Sequence, residues 1–285
     1  MPSRMNPSLY IEHFTDTDLA LLTRTSGDRD VASFLTHLRA DPAHLEVALG
    51  TRDLRTVLFE PDEEGALLRA SPFLVFAVLV SRVRDDLASA SFVEEWIGPH
   101  RRMPVFDVGD VREFADDPAH RLFLAEVLAS YTRVFSGTAW IRTRRGWRRN
   151  RFSDLDPLRL LQLVETVPEP DRPAIYRRVG DLALFLTGVF PDYAAVRLLS
   201  LLQRGRLERL IPATQARSDL GNTGDMLLLE SLGRRSYRLA GETSEAGTIL
   251  VDIAAGFRQA RRVLNVLTDR YLFPHRRLWF PAPES

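Results

Sequence analysis

The segment from Trp140 to Phe152 contains the residue types best suited to binding chemistry. Six arginines fall between residues 142 and 151 with no acidic side chain among them, and three aromatic residues flank or interrupt the series. Guanidinium groups pair with phosphate oxygens, and aromatic rings stack on unpaired bases. The segment therefore predicts a surface for nucleic acid or another polyanion, formed by Arg142, Arg144, Arg145, Trp147, Arg148, Arg149 and Arg151.

A second basic region lies on the last predicted helix, where Arg258, Arg261 and Arg262 share one face by helical spacing. A solvated helix face is the ordinary explanation for such a group. The first region also has structural explanations, since its arginines would equally pair with the acidic N-terminal half or keep an edge strand soluble. If the two regions adjoin in space, the polyanion hypothesis is strengthened.

Two amino acids are missing from the chain, and their absence excludes several chemistries. There is no cysteine, which removes disulfides, thiolate nucleophiles, iron–sulfur clusters and zinc sites that use sulfur. There is also no lysine, so all 38 basic residues are arginine, and a P-loop lysine or a Schiff base is excluded. The bias toward arginine indicates a GC-rich bacterial host.

The histidines form no recognisable metal motif. None stands in HExxH or Glu-x-x-His spacing, so we predict neither a metal site nor a cofactor. His44 and His120 each occupy the third position of a predicted helix, where capping contacts or solvent exposure explain a polar residue. The full set is His13, His37, His44, His100, His120 and His275.

Two carboxylates stand inside apolar helical runs. Asp181 follows Arg177 by four residues, so the two are expected to form a structural ion pair if Asp181 is buried, and Asp252 would need a partner of the same kind. Gly180 and Gly188 lie eight residues apart on the same helix. They share a face, which would let another helix approach closely.

The elements that position these residues are predominantly helical. Capping residues precede prolines at Asp41-Pro42, Ser71-Pro72, Asp117-Pro118 and Asp156-Pro157, which is typical of helix starts. The apolar run from Phe73 to Val80 is expected at the centre of the core. The pattern predicts an all-α bundle of about ten helices with at most one short β-hairpin or basic loop near 138–152. One continuous helix is expected from Ser244 to Tyr271.

Charge divides the chain into two unlike halves. Residues 1–135 carry 14 arginines against 22 acidic residues, and residues 136–285 carry 24 arginines against 16. We therefore expect an acidic helical half, 1–136, and a basic helical half, 137–285, or one continuous domain that contains both. Such a dipole steers an anionic partner toward one end, or lets the halves attract each other or a second copy.

No segment predicts a membrane protein. The longest apolar run has eight residues, where a membrane span needs about 20, and the N-terminus lacks the apolar core of a signal peptide. We expect a cytoplasmic, non-enzymatic helical protein that binds nucleic acid or another polyanion. One alternative is an interaction or scaffold protein, or a self-associating protein, that uses its acidic and basic halves. The other is an enzyme whose site of His, Asp and Arg residues is not revealed by any motif.

Overall fold

The structure is a computed structural model, and it describes residues 7–41, 43–60, 65–98, 101–132, 136–143, 146–153, 156–191, 224–242 and 247–274. For residues 136–143 and 146–153 the description covers the backbone. The chain forms two compact units that interleave along the sequence. The first contains Met1–Ser91, Val108–Thr132 and Asp269–Ser285, and the second contains Phe92–Asp107 and Arg133–Thr268.

Every regular element in the described part of the first unit is a helix. A 3-10 helix, Pro7–His13, precedes eight α-helices. These are α1 Asp16–Ser26, α2 Val31–Ala40, α3 Ala43–Gly50, α4 Arg52–Phe59, α5 Ala66–Arg69, α6 Pro72–Ser89, α7 Val108–Asp116 and α8 Pro118–Ser130.

Capping side chains begin these helices where the sequence predicts. The Ser71 hydroxyl accepts a hydrogen bond from the Leu74 amide at 3.1 Å, and the Asp117 carboxylate accepts one from the Ala119 amide at 2.8 Å. Each cap satisfies an amide that has no partner inside its helix, and the following proline has no amide to satisfy. The predicted starts of α6 and α8 are therefore confirmed.

Helix α6 forms the centre of the first unit. All eight residues from Phe73 to Val80 are buried, and the helix packs against α3, α7 and α8. A helix that is apolar on every side is stable only when neighbours cover it on every side. The predicted central position of the apolar run is confirmed.

The second unit combines helices with two hairpins. Its described helices are α9 Pro157–Val164, α10 Arg172–Val189, α11 Gly224–Gly241, α12 Gly247–Ala255 and α13 Phe257–Leu267, with a 3-10 helix at Glu169–Asp171. The strands are β1 Val93–Gly98, β2 Arg101–Val105, β3 Ser136–Thr143 and β4 Gly146–Ser153, paired antiparallel as β1 with β2 and β3 with β4.

Two glycines of α10 allow its neighbours to pack closely. A Cβ atom on Gly180 would lie 2.5 Å from the Tyr237 ring of α11, and one on Gly188 would lie 2.7 Å from Leu264 Cβ of α13. Any side chain at these positions would therefore overlap a buried neighbour. The predicted close approach is confirmed at each glycine, although the two glycines face different helices.

The fold is an all-α multi-helix architecture, and its departures from the predicted pattern are local. The β3–β4 ribbon is one of the two forms expected near 138–152, whereas the β1–β2 hairpin exceeds the single hairpin that was expected. The expected single helix from Ser244 to Tyr271 is instead divided at Gly256 into α12 and α13, followed by a π-helical turn at Thr268–Leu272. Across the described ranges, no helix is both long and apolar enough to cross a membrane.

Candidate functional site

The ribbon β3–β4 carries most of the predicted polyanion-binding residues. Its register pairs Trp140 with Arg149 and Arg142 with Trp147. Arg148 pairs with Ile141, and Arg151 pairs with Thr138. Arg144 and Arg145 lie outside the described residues. Tryptophan and arginine thus exchange strands between two cross-strand pairs that are separated by the pair of Ile141 with Arg148.

These pairs assign the residues to two faces of the ribbon. Successive strand residues belong to opposite faces, and directly paired residues belong to the same face. Residues 138, 140 and 142 therefore share a face with residues 147, 149 and 151, whereas residues 141 and 148 belong to the other. The first of these sets, residues 138, 140, 142, 147, 149 and 151, is called the Trp–Arg face below.

The second predicted basic region is largely internal, and this corrects the expectation of a solvated arginine face. The side chains of Arg261 and Arg262 are only 3% and 7% exposed. Both contact the carboxylate of Glu95 in β1, with the Arg262 Nε donating to Glu95 Oε2 at 2.6 Å. Arg258 is half exposed and lies 3.6 Å from Glu230. Burial of a guanidinium requires a carboxylate partner, and Glu95 supplies it.

The contacts of Glu95 form a buried ionic cluster that joins three elements. Arg261 also lies 3.6 Å from Glu230 of α11, whose side chain is 4% exposed. Burial raises the pKa of the Glu95 carboxyl, but the charge of Arg261 and the hydrogen bonds from Arg261 and Arg262 outweigh it and hold that pKa below its ordinary value. Glu95, Glu230, Arg261 and Arg262 are called the Glu95 cluster below, and their arrangement ties β1 to α11 and α13.

The buried carboxylate of Asp181 has a structural environment, as predicted. Arg177 Nε lies 3.9 Å from Asp181 Oδ2, and the Tyr237 hydroxyl donates a hydrogen bond to Asp181 Oδ1 at 2.9 Å. The predicted ion pair is confirmed, and Tyr237 is a partner that spacing within α10 did not reveal. Asp252 is exposed, so it needs no buried partner.

A second buried ionic group lies in the first unit. Arg121 is 4% exposed and donates to Glu46 Oε1 at 2.6 Å, and Arg84 donates to the same oxygen at 2.7 Å. Arg121 also donates to the Ala115 carbonyl. Burial lowers the pKa of Arg121, and the charge of Glu46 opposes that effect. These contacts join α3, α6 and α8.

One histidine cluster was missed by the sequence analysis. His37 Nδ1 lies 2.5 Å from Asp28 Oδ1, and His44 Nε2 lies 2.8 Å from Asp28 Oδ2. The pKa of the Asp28 carboxyl is lowered to about 2. The hydrogen bond from Ser26 contributes most to this shift, burial opposes it, and the contacts with His44 and His37 reinforce it. Asp28 precedes His37 by nine residues and His44 by 16, spacings that match no local motif. Packing of α3 on α2 brings the rings together.

The described geometry defines an all-α protein with an arginine-rich two-stranded ribbon and two internal ionic clusters. Comparison with protein-family models, with curated proteins and with solved structures found no match. The functional assignment therefore depends on the residues of this chain.

Proposed function

We propose that this protein binds nucleic acid through the ribbon β3–β4. The observation that carries the proposal is the cross-strand register, which pairs Trp140 with Arg149 and Arg142 with Trp147. This arrangement alternates a group that stacks on bases with a group that pairs with phosphates. Alternation of this kind suits a strand of nucleic acid whose bases are unpaired.

The charge of the ribbon supports the same proposal. Residues 142–151 contain six arginines and no acidic residue, which is a local excess in a chain whose formal net charge is zero. Each phosphate contact releases a condensed counterion, so several such contacts make binding strongly dependent on salt. A ribbon is also narrow enough to enter a groove or follow a single strand.

Pairing of arginines within the second predicted basic region helps to localise the proposed interface. Arg261 and Arg262 pair internally with Glu95, and Arg261 also lies 3.6 Å from Glu230, so they contribute little to binding an outside anion. The Trp–Arg face, together with Arg144 and Arg145, is therefore the proposed contact surface. The protein would act as a binding module rather than an enzyme.

Fluorescence anisotropy with a labelled single-stranded DNA oligonucleotide tests this proposal. We expect binding at low salt that weakens as salt is raised. Replacing both Arg142 and Arg149 of the Trp–Arg face with Ala should make the negative slope of log K against log salt shallower by about 1.4, since each contact to a single strand contributes about 0.7. The matched control is Arg148→Ala, on the opposite face, which should change the slope by less than Arg142→Ala or Arg149→Ala alone.

Further measurements separate nucleic acid from other partners. Unlabelled polyphosphate should compete poorly against the oligonucleotide, because it offers no bases to Trp140 and Trp147. Failure of the wild-type protein to bind at low salt contradicts the proposal. Salt-sensitive self-association by light scattering, without nucleic-acid binding, would instead support the scaffold alternative.

A further inference from the structure

Three side chains from two helices and the loop before them converge beside α2. Asp28 lies between α1 and α2, His37 lies in α2, and His44 lies in α3. One potential ligand atom from each residue lies within 4.8 Å of the other two. These atoms are close enough for small side-chain shifts to bring all three around one cation.

We propose that Asp28, His37 and His44 form a binding site for a divalent transition metal of the Zn²⁺ class. Two imidazole nitrogens and one carboxylate oxygen are a donor set that zinc and its neighbours accept. Mg²⁺ and Ca²⁺ prefer oxygen ligands, so they fit this set less well. With three protein ligands, a fourth position is left for solvent or another small ligand.

The site is built on a supported framework. The Asp28 side chain is only 4% exposed, and its Oδ2 accepts a hydrogen bond from the Ser26 hydroxyl at 2.6 Å. Gly27 adopts a left-handed conformation with φ of 80° and ends α1, so Asp28 lies directly after the turn that closes this helix. Outer contacts of this kind orient ligands before a metal arrives.

The two histidine rings differ in their exposure to solvent. The His44 ring lies 5.2 Å from the ring of Phe34, which is fully buried, and its side chain is 23% exposed. The His37 side chain is 57% exposed, and its ring lies 5.4 Å from that of His44. One ring is therefore anchored against the core, while the other opens the site to solvent.

Metal binding would replace two hydrogen bonds with coordination bonds. A carboxylate accepts hydrogen bonds, so without metal each ring directs an N–H toward Asp28. Coordination requires those nitrogens to give up their protons. A neutral ring transfers its proton to its other nitrogen through solvent, and an imidazolium releases one to solvent, so affinity should fall as pH is lowered.

Isothermal titration with Zn²⁺, on tag-free protein first dialysed against a chelator, tests the site. We expect one Zn²⁺ per chain, and His37→Gln or His44→Gln should weaken binding by more than about tenfold. Circular dichroism of each variant establishes that it is folded. The matched control is His13→Gln, an exposed histidine outside the cluster, which should bind Zn²⁺ like the wild type.

Visible absorption of Co²⁺ supplies a second readout that does not depend on stability. Coordination in the wild type should give d–d bands that either His37→Gln or His44→Gln weakens. Absence of Zn²⁺ binding by the wild-type chain overturns the proposal. Equal Zn²⁺ affinity in the wild type and in a folded His37→Gln, His44→Gln double variant overturns it as well.

Discussion

The ring of Tyr237 occupies the space that a side chain at Gly180 would need. An ideal Cβ on Gly180 would lie 2.5 Å from Tyr237 Cδ1 and 2.6 Å from Cε1. Tyr237 is fully buried and also donates its hydroxyl to Asp181, the residue that follows Gly180. One tyrosine of α11 therefore contacts two consecutive residues of α10: its ring packs on Gly180, and its hydroxyl donates a hydrogen bond to Asp181.

Gly180→Ala is expected to lower the free energy of unfolding by about 1–3 kcal/mol. The added methyl must displace a ring that packing and a hydrogen bond both hold, and this overlap outweighs the better helix propensity of alanine. Urea denaturation followed by circular dichroism measures the change.

Gly109→Ala in α7 is the matched control, since no atom outside its own helix lies within 4 Å of the new Cβ. That substitution should raise stability by about 0.5 kcal/mol. Equal effects of the two alanine substitutions would contradict the packing argument.

Tyr237→Phe is expected to lower the free energy of unfolding by about 1.5–3 kcal/mol, because it removes a hydrogen bond to a buried charged group while preserving the ring. A double-mutant cycle with Asp181→Asn isolates that bond from the other contacts of each residue. The cycle should give a coupling energy above about 1 kcal/mol. Additive effects of the two substitutions would show that the hydroxyl and the carboxylate act independently.

Local features were predictable from the sequence because neighbouring residues determine them. A capping side chain acts within three residues, as at Ser71 and Asp117, and helical spacing places Arg177 beside Asp181. The apolar character of the run from Phe73 to Val80 likewise requires burial whatever its neighbours are. These features specify where helices begin and which faces are covered.

Features that depend on distant parts of the chain were not predictable. Glu95 meets Arg261 across 166 residues, so nothing near Arg261 indicated that its charge would be neutralised. The β1–β2 hairpin mixes apolar and charged residues without the alternation typical of a strand, and burial of Glu95 beside α13 helps to hold it. The Asp28 cluster similarly requires α3 to pack on α2 before its rings meet. Pair interactions of this kind are specified by tertiary structure.

Asp18 links the start of α1 to the start of α6, although the two helix starts are far apart in the sequence. The fully buried carboxylate accepts hydrogen bonds from the amides of Thr15, at 2.8 Å, and Ser71, at 2.9 Å. Asp18→Ala should lower the free energy of unfolding by roughly 3 kcal/mol, because it leaves two amides without their charged acceptor. Thermal and urea denaturation both measure this loss.

Asp16→Ala is the control for that prediction. Asp16 carries the same charge in the same first turn of α1 but is exposed. Its removal should cost less than about 1 kcal/mol through the helix dipole alone. A comparable loss in both variants would show that Asp18 acts through charge near the helix end, not through its two bonds.

Glu95 should make the second unit sensitive to acid. Its pKa in the folded protein lies below the ordinary value of 4.5, so its ionised form stabilises the fold. This contribution is complete above pH 4.5 and is lost as pH falls below that value toward the lower pKa of the folded state. Glu95→Gln should therefore lower the free energy of unfolding at neutral pH by about 3 kcal/mol, because Arg261 and Arg262 lose the carboxylate that they share.

The pH dependence distinguishes this role from simple packing. Between neutral pH and the acid range, the stability of Glu95→Gln should change less than that of the wild type, so the two curves converge below pH 4.5. Glu94→Gln is the control, because Glu94 is half exposed and pairs with Arg102 at the surface. Its curve should stay within about 1 kcal/mol of the wild type. Parallel curves for Glu95→Gln and the wild type at every pH would show that the charge of Glu95 does not stabilise the fold.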